Sequence, residues 1–306
     1  MEKSGLNPSP TVELLYDGKA EIGEGPFFEP ETNQLLWVDI YKCTINFLNL
    51  ATIENRSMQL PEKVGFVIPV EGSSNLLAGI GTKLCLVNRE TGDIVEELAC
   101  VDGDKPNRFN DAKCDANGRL WAGTMALAAG PSGLSKNEGT LYSFVAGKVT
   151  PCVPGVTISN GLGWSLDNSK MYYIDSIPQK VYSFDYNFAD GTIANQKTFV
   201  DYVSDDSSGF PDGMCTDIEG RLWVASFGGG CVTCWDSKTG DKLARLDIPG
   251  AKNITSCCFG GPDHSWLFVT CGSAHVEDLS KEPNAGGIFV VKDSGTKGLP
   301  ANRFKC

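Results

Sequence analysis

The sequence predicts an all-β protein that folds as a six-bladed β-propeller. Three observations lead to this fold class. Short β-rich runs alternate with turn clusters along the 306-residue chain. No long stretch shows the periodicity of an amphipathic helix. One pattern recurs in six units, roughly 40 to 51 residues apart, a spacing that is typical of propeller blades.

Each unit has a small or polar opening, a short strand, a turn rich in Asn, Asp or Gly, and a strand that carries an aromatic residue. Five units are clear: GEGPFFEPETNQLLWVDI, FNDAKCDANGRLWAGT, SNGLGWSLDNSKMYYIDS, PDGMCTDIEGRLWVASF and TSCCFGGPDHSWLFVTC. A weaker copy, VGFVIPVEGSSNLLAGI, lies between the first two. Turns such as DANG supply the residues that tight hairpins need. We therefore predict one propeller domain over residues 1–306, with residues 1–12 as a flexible N-terminal tail.

Four polar residues share one place in the repeat, about 11 to 13 residues before the aromatic residue of their unit. They are Glu24, Asn110, Asn160 and Asp212. The first strand of each blade lines the central channel of a propeller, so equivalent residues point at one axis. Glu24, Asn160 and Asp212 are candidate ligands of one divalent cation in the channel, because carboxylate and amide oxygens suit Ca²⁺, Mg²⁺ or Mn²⁺, with Zn²⁺ as a further option.

Other interpretations apply to each of these residues. Asn-Gly at 160–161 and Asp-Gly at 212–213 are strong turn signals wherever they fall, but their common place in the repeat favours a channel site. Arg108 precedes Asn110 in NRFND and could hold a substrate oxygen by a forked hydrogen bond; a solvated surface Arg is the alternative. Asp115 and Asp217 precede the DANG and DIEG turns, which predicts that both cap those turns.

Composition excludes several classes of function. The formal net charge of −12 argues against nucleic acid or a membrane surface as the main partner. No apolar run approaches membrane-spanning length, and no apolar segment follows Lys3 as a secretory signal would require. We therefore expect a cytoplasmic monomer with reduced cysteines. The only histidines are His264 and His275, which excludes a His-dominated zinc site.

Motifs in five of the six units resemble the regucalcin family. They are GEGP at 23–26, RFND at 108–111, AGTMA at 122–126, SNGLGWS at 159–165, MYYIDS at 171–176, PDGMC at 211–215, TSCCFGG at 255–261 and AGGIF at 285–289. This family, also called senescence marker protein 30, belongs to the gluconolactonase and luciferin-regenerating-enzyme-like superfamily. The resemblance implies a six-bladed propeller in which Glu24, Asn160 and Asp212 hold one cation, Ca²⁺ ahead of Zn²⁺, Mn²⁺ or Mg²⁺, while Arg108 and Asn110 contact the substrate.

The activity implied is the metal-supported hydrolysis of small lactones, with Asp212 activating the attacking water. Sugar lactonases of this kind often carry acidic residues just after GTMA, where this chain has Leu127 and Ala128. That departure keeps open a hydrolase of a non-sugar small molecule, similar to luciferin-regenerating enzymes. A calcium-binding regulatory propeller with little turnover is a separate alternative.

Overall fold

Six four-stranded antiparallel sheets surround a central channel, which confirms the predicted six-bladed propeller. The computed structural model describes residues 5–103, 105–127, 135–205 and 209–306. In chain order the strands are β1 (Val12–Tyr16); β2 (Gly23–Glu29), β3 (Gln34–Asp39), β4 (Thr44–Asn49) and β5 (Asn55–Gln59); β6 (Val64–Pro69), β7 (Asn75–Ile80), β8 (Lys83–Asn88) and β9 (Ile94–Cys100); β10 (Asn107–Cys114), β11 (Leu120–Ala126), β12 (Gly139–Val145) and β13 (Lys148–Val156); β14 (Ser159–Trp164), β15 (Lys170–Asp175), β16 (Lys180–Asn187) and β17 (Thr192–Asp201); β18 (Phe210–Thr216), β19 (Leu222–Phe227), β20 (Cys231–Trp235) and β21 (Lys242–Asp247); β22 (Ile254–Gly260), β23 (Trp266–Cys271) and β24 (Ile288–Val291).

The two ends of the chain meet in the sixth blade. Blades one to five each use four consecutive strands, but the sixth has the order β22-β23-β24-β1. Its outer strand is β1, paired antiparallel with β24, so the first strand closes the ring. Ahead of β1, the backbone N–H of Asn7 donates to the carbonyl of Ser294 across 3.0 Å. The flexibility expected for residues 1–12 stays a prediction.

The hydrophobic core lies between neighbouring blades. The aromatic residue of the second strand is buried in the four repeat units that carry the polar residues (Trp37, Trp121, Tyr172 and Trp223). Trp223 of the fifth blade, for example, meets Phe259 of the sixth edge to face, with ring centroids 5.8 Å apart. Because these rings fill the wedge between adjacent sheets, the repeated aromatic position in the sequence marks the contact that sets one blade against the next.

Asp115 and Asp217 cap their turns, as predicted. Oδ1 of Asp115 accepts the backbone N–H groups of Asn117 and Arg119 at 2.9 and 3.0 Å. Oδ1 of Asp217 accepts the N–H group of Arg221 at 3.0 Å in the equivalent place. Each Asp also forms a buried ion pair with the Arg four residues later, which the sequence did not indicate. The twelve cysteines are free thiols. The described ranges contain no helix with the length and apolar character needed to cross a membrane.

Candidate functional site

All six inner strands carry an irregularity in strand register at the same place. The breaks fall between Glu24 and Phe27, Val64 and Phe66, Phe109 and Ala112, Ser159 and Leu162, Pro211 and Met214, and Ile254 and Ser256. Such a bulge bends the strand and re-aims the side chains within it. The four polar residues selected from the repeat all lie at these breaks, so they occupy equivalent places at one end of the channel.

Glycine follows three of these residues, and after Asn160 and Asp212 the reason is that the inner strands approach one another closely. A Cβ on Gly161 would lie 2.7 Å from the carbonyl oxygen of Asp212. A Cβ on Gly213 would lie 2.1 Å from Oγ of Ser256. Asn160-Gly161 therefore lies within β14, and Asp212-Gly213 lies within β18. The alternative that these dipeptides are turns is wrong.

A buried Asp at the end of the second strand holds the start of the inner strand in the first and fourth blades. In the first blade, the carboxylate of Asp39 accepts the backbone N–H groups of Glu21 and Ile22 at 2.9 and 3.2 Å. In the fourth blade, Asp175 accepts those of Thr157 and Ile158 at 3.1 and 3.0 Å. In both blades the two N–H groups belong to the residues three and two positions ahead of the site residue, Glu24 or Asn160. The two Asp residues thereby fix the backbone that presents each side chain.

A chain of hydrogen bonds crosses the third, fourth and fifth blades. Nη1 of Arg108 donates to Oδ1 of Asn110 at 2.7 Å, and Nδ2 of Asn110 donates to Oδ1 of Asn160 at 2.9 Å. Nδ2 of Asn160 then donates to Oγ of Ser176 at 2.7 Å. That hydroxyl donates to the carbonyl of Pro211, directly before Asp212, at 2.6 Å. The network sets Arg108, Asn110 and Asn160 relative to one another and places Asn160 next to the backbone of Asp212.

The carboxyl groups of Glu24 and Asp212 meet across the channel. Burial, followed by the charge of Asp111, raises the pKa of Glu24 to about 8. Burial, followed by the charge of Glu24, raises the pKa of Asp212 well above its usual range. With both groups ionised, Oδ1 of Asp212 is buried without a hydrogen-bond donor among the described residues. The two carboxyl groups lie close enough to form a hydrogen bond with each other when one of them is protonated. The pair therefore needs either a shared proton or a cation.

These side chains fit a hard divalent cation. The orphaned oxygen of Asp212 and the carboxylate of Glu24 supply two negative charges. Oδ1 of Asn160 accepts one hydrogen bond, from Asn110, which leaves its second lone pair free for a cation. No three His, Cys, Asp or Glu side chains in the described part of the chain are arranged to hold a metal. This agrees with the predicted ligand set, because only Glu24 and Asp212 are of these four residue types and the third ligand, Asn160, is an amide.

Arg108 faces the same site. It is only 6% exposed, so the alternative of a solvated surface Arg is wrong. Burial lowers the pKa of Arg108 to about 10, an effect that the nearby Tyr41, Glu24 and Asp212 oppose. The guanidinium therefore remains charged at neutral pH beside the carboxyl pair. Nη1 also donates to the carbonyl of Phe109 at 2.9 Å, which holds the head group in place.

Four residues near the site had no role in the sequence-based site prediction. Asp39, Ser176 and Asp175 position the site, and Tyr41 lies close enough to Arg108 to act on its charge. The matching Asp in LLWVDI and MYYIDS was a usable signal, because it recurs at one place in two units. Ser176 and Tyr41 follow the repeated strands, so periodicity could not select them. Leu127 is 38% exposed just beyond β11, while Ala128 lies outside the described residues.

Comparisons with known proteins agree with this architecture. The model of the SMP-30/Gluconolactonase/LRE-like region matches residues 22–273. Regucalcin from Oryctolagus cuniculus is 40% identical over 296 residues, which cover 94% of this chain and 96% of that protein. A luciferin-regenerating enzyme superposes with a TM-score of 0.91 at 32% identity, over 97% of this chain and all of that one. A calcium-binding protein, regucalcin, from Agrobacterium tumefaciens superposes with a TM-score of 0.89 at 26% identity, over 97% of this chain and 98% of that one. The chain therefore belongs to the SMP-30/gluconolactonase/LRE-like family.

Proposed function

We propose that this protein is a divalent-metal-dependent hydrolase of small lactones. The observation that carries the proposal is the buried Glu24–Asp212 pair, in which one carboxylate oxygen has no donor among the described residues, set beside a buried and charged Arg108. Uncompensated carboxylates are costly in a protein interior, so their placement at a channel mouth points to function rather than stability. A cation bound by Glu24, Asn160 and Asp212 supplies Lewis-acid polarisation of a carbonyl and makes a water molecule more acidic. We expect Ca²⁺, with Zn²⁺, Mn²⁺ or Mg²⁺ as alternatives.

The chain's own residues would perform the remaining steps. Asp212 is the base that takes a proton from the attacking water, because it is a buried carboxylate at the site whose Oδ1 has no hydrogen-bond donor among the described residues. Arg108 donates hydrogen bonds to the oxygen on which negative charge develops as the ring carbonyl is attacked; the ring C–O bond then breaks, and the departing ring oxygen takes the proton that Asp212 accepted from water. Asn110 holds Arg108 in place through Oδ1 and orients the substrate beside it. We also propose that the protein is a monomer and resides in the cytoplasm; this part of the proposal rests on the sequence alone.

Acid release from glucono-δ-lactone tests the proposal. The purified protein should release acid in the presence of Ca²⁺ or Zn²⁺ and lose this activity in EDTA, and Asp212→Asn should abolish it. Absence of metal-dependent hydrolysis across sugar and non-sugar lactones would overturn the proposal. If one Ca²⁺ still bound tightly, a calcium-binding regulatory propeller would then be the better description, in keeping with the name of the regucalcin relatives.

A non-sugar substrate is the second candidate, and Leu127 motivates it. This apolar side chain is partly exposed directly after β11, where a sugar substrate would favour a hydrogen-bonding group. The likeness to the luciferin-regenerating enzyme also supports this candidate. A panel that compares glucono-δ-lactone with apolar γ- and δ-lactones decides between the two. Higher kcat/KM for the apolar lactones supports the second candidate, and higher kcat/KM for the sugar lactone rejects it.

A further inference from the structure

A separate cavity of about 410 Å³ occupies the other half of the central channel. Its walls come from the inner strands beyond the register breaks, including Lys113 on β10 and Met214 on β18. The side chains predicted to bind metal and substrate do not line it. We call this space the lower cavity. Its volume lies in the range of small-molecule sites in proteins, which span roughly 300 to 1,000 Å³.

The wall of the lower cavity is largely apolar. Its larger apolar side chains include Phe27, Phe66, Ile68, Met214, Phe259 and Leu299. Residues 299–302 of the C-terminal segment form part of the wall and lie across this end of the channel. The segment is anchored by Asn302, whose Nδ2 donates to the carbonyl of Cys114 at 3.1 Å, and by the buried Phe304, whose N–H donates to Pro69 at 3.0 Å. The cavity is thus a built space with a fixed cover.

One cation faces this apolar space. Nζ of Lys113 donates to the carbonyl of Met214 at 2.5 Å, and no carboxylate of the described residues lies within ion-pairing distance of it. Among the described residues, Asp111 is the only acidic one in the wall. It is 9% exposed, its Oδ1 accepts the N–H of Ala112 at 2.7 Å, and Lys113 lies near enough for its charge to act on this carboxyl group. A half-buried ammonium in an apolar cavity favours an anionic partner, because the low local dielectric strengthens their attraction.

We propose that the lower cavity is a second ligand site, which binds a small molecule with an apolar body and one carboxylate group. The carboxylate pairs with Nζ of Lys113, and the body packs against Phe66, Met214 and Phe259. This site is distinct from the one that Glu24, Asn160 and Asp212 form, and it does not depend on the proposed hydrolase activity. Its occupant is a ligand rather than a substrate, because no nucleophile or base of the proposed reaction lines the cavity.

Calorimetric titration of the full chain with sodium octanoate tests the proposal, with 1-octanol as a neutral probe of the same length. Octanoate should bind more tightly than octanol, and its binding should persist in EDTA. Lys113→Met should weaken octanoate binding by about 10- to 100-fold while leaving octanol binding unchanged. The control Lys148→Met, at an exposed position on β13, should change neither affinity.

A second variant tests the cavity without changing Lys113. Ala301→Trp, at an exposed position of the cover, should weaken the binding of both probes by narrowing the cavity. If Lys113→Met does not fold, the preference of the wild-type protein for octanoate and the effect of Ala301→Trp decide the matter. The proposal is overturned if octanoate binds no better than octanol. It is also overturned if octanoate binding requires Ca²⁺ and disappears in EDTA, since that result places the carboxylate at the site of Glu24, Asn160 and Asp212.

Discussion

Nδ2 of Asn110 donates to Oδ1 of Asn160 across 2.9 Å and joins the third blade to the fourth at the channel mouth. The other end of the Asn110 amide accepts a hydrogen bond from Arg108. One short chain of bonds therefore couples the residue expected to bind substrate to a residue expected to bind the cation. Replacing Arg108 should therefore alter the geometry of Asn160, and the reverse. The main effect of each replacement, on substrate turnover for Arg108 and on cation binding for Asn160, should remain separable.

Replacement of Arg108 separates these roles. Arg108→Lys keeps the positive charge near Glu24 and Asp212, so Ca²⁺ affinity should stay close to the wild-type value. Lysine lacks the planar fork that reaches both Asn110 and a substrate oxygen, so kcat/KM for lactone hydrolysis should fall by about 100-fold. Steady-state kinetics and Ca²⁺ calorimetry measure the two effects. The exposed Arg56→Lys is the matched control, and a full-rate Arg108→Lys enzyme would exclude the proposed role of Arg108.

Asp175 should control cation binding from a distance. Asp175→Ala leaves the backbone N–H groups of Thr157 and Ile158 without their acceptor. The start of β14 should then loosen, lowering Ca²⁺ affinity by about 10- to 100-fold. The unfolding free energy should fall by about 1 to 3 kcal/mol.

Urea unfolding and Ca²⁺ calorimetry check both values. Asp185→Ala serves as the control, because Asp185 lies at the outer face of the same blade in an ion pair with Lys170. Unchanged Ca²⁺ affinity combined with reduced stability would show that Asp175 has a structural role only.

The metal-free protein should lose stability as pH rises. Burial and nearby charges raise the pKa of Glu24 from 4.5 to about 8 in the folded state. Between these values the folded chain holds a proton that the unfolded chain has released, so stability decreases with increasing pH. Bound Ca²⁺ stabilises the ionised pair and should remove this decline.

Thermal unfolding in EDTA and in Ca²⁺, from about pH 5 to about pH 8, tests this expectation. The Tm in EDTA should fall across that range, and the gain from Ca²⁺ should grow with it. Glu24→Gln cannot ionise, so its Tm in EDTA should vary less with pH. A wild-type Tm in EDTA that rises between pH 6 and pH 8 would contradict the shared-proton description of Glu24 and Asp212.

The sequence predicted the blade number and the equivalent positions of the candidate site residues for one physical reason. A propeller repeats the same packing problem in every blade, so Trp121 and Trp223 recur where a large ring must fill the space between sheets. The same repetition puts Asn160 and Asp212 at equivalent breaks in register. Family resemblance then separated the expected metal ligands from the expected substrate contacts.

The features that the sequence did not reveal depend on contacts between units. The outer strand of the last blade comes from the other end of the chain, which a repeat that begins at Gly23 does not indicate. Ser176 links Asn160 to Pro211 only because the fourth and fifth blades adjoin. Oδ1 of Asp111 accepts the backbone N–H of Ala112, so this carboxylate braces the inner strand of the third blade. Its effect on the pKa of Glu24 emerges only once the inner strands converge.

Calorimetric titration of the Asp212→Asn variant with Ca²⁺ tests the central claim most directly, beside the wild-type protein and the exposed control Asp241→Asn. One Ca²⁺ should bind per wild-type chain, and the control should bind Ca²⁺ with unchanged affinity. Asp212→Asn should reduce the affinity by at least about 100-fold, because it removes a charged ligand. Wild-type affinity in Asp212→Asn would contradict the assignment of the cation to Glu24, Asn160 and Asp212.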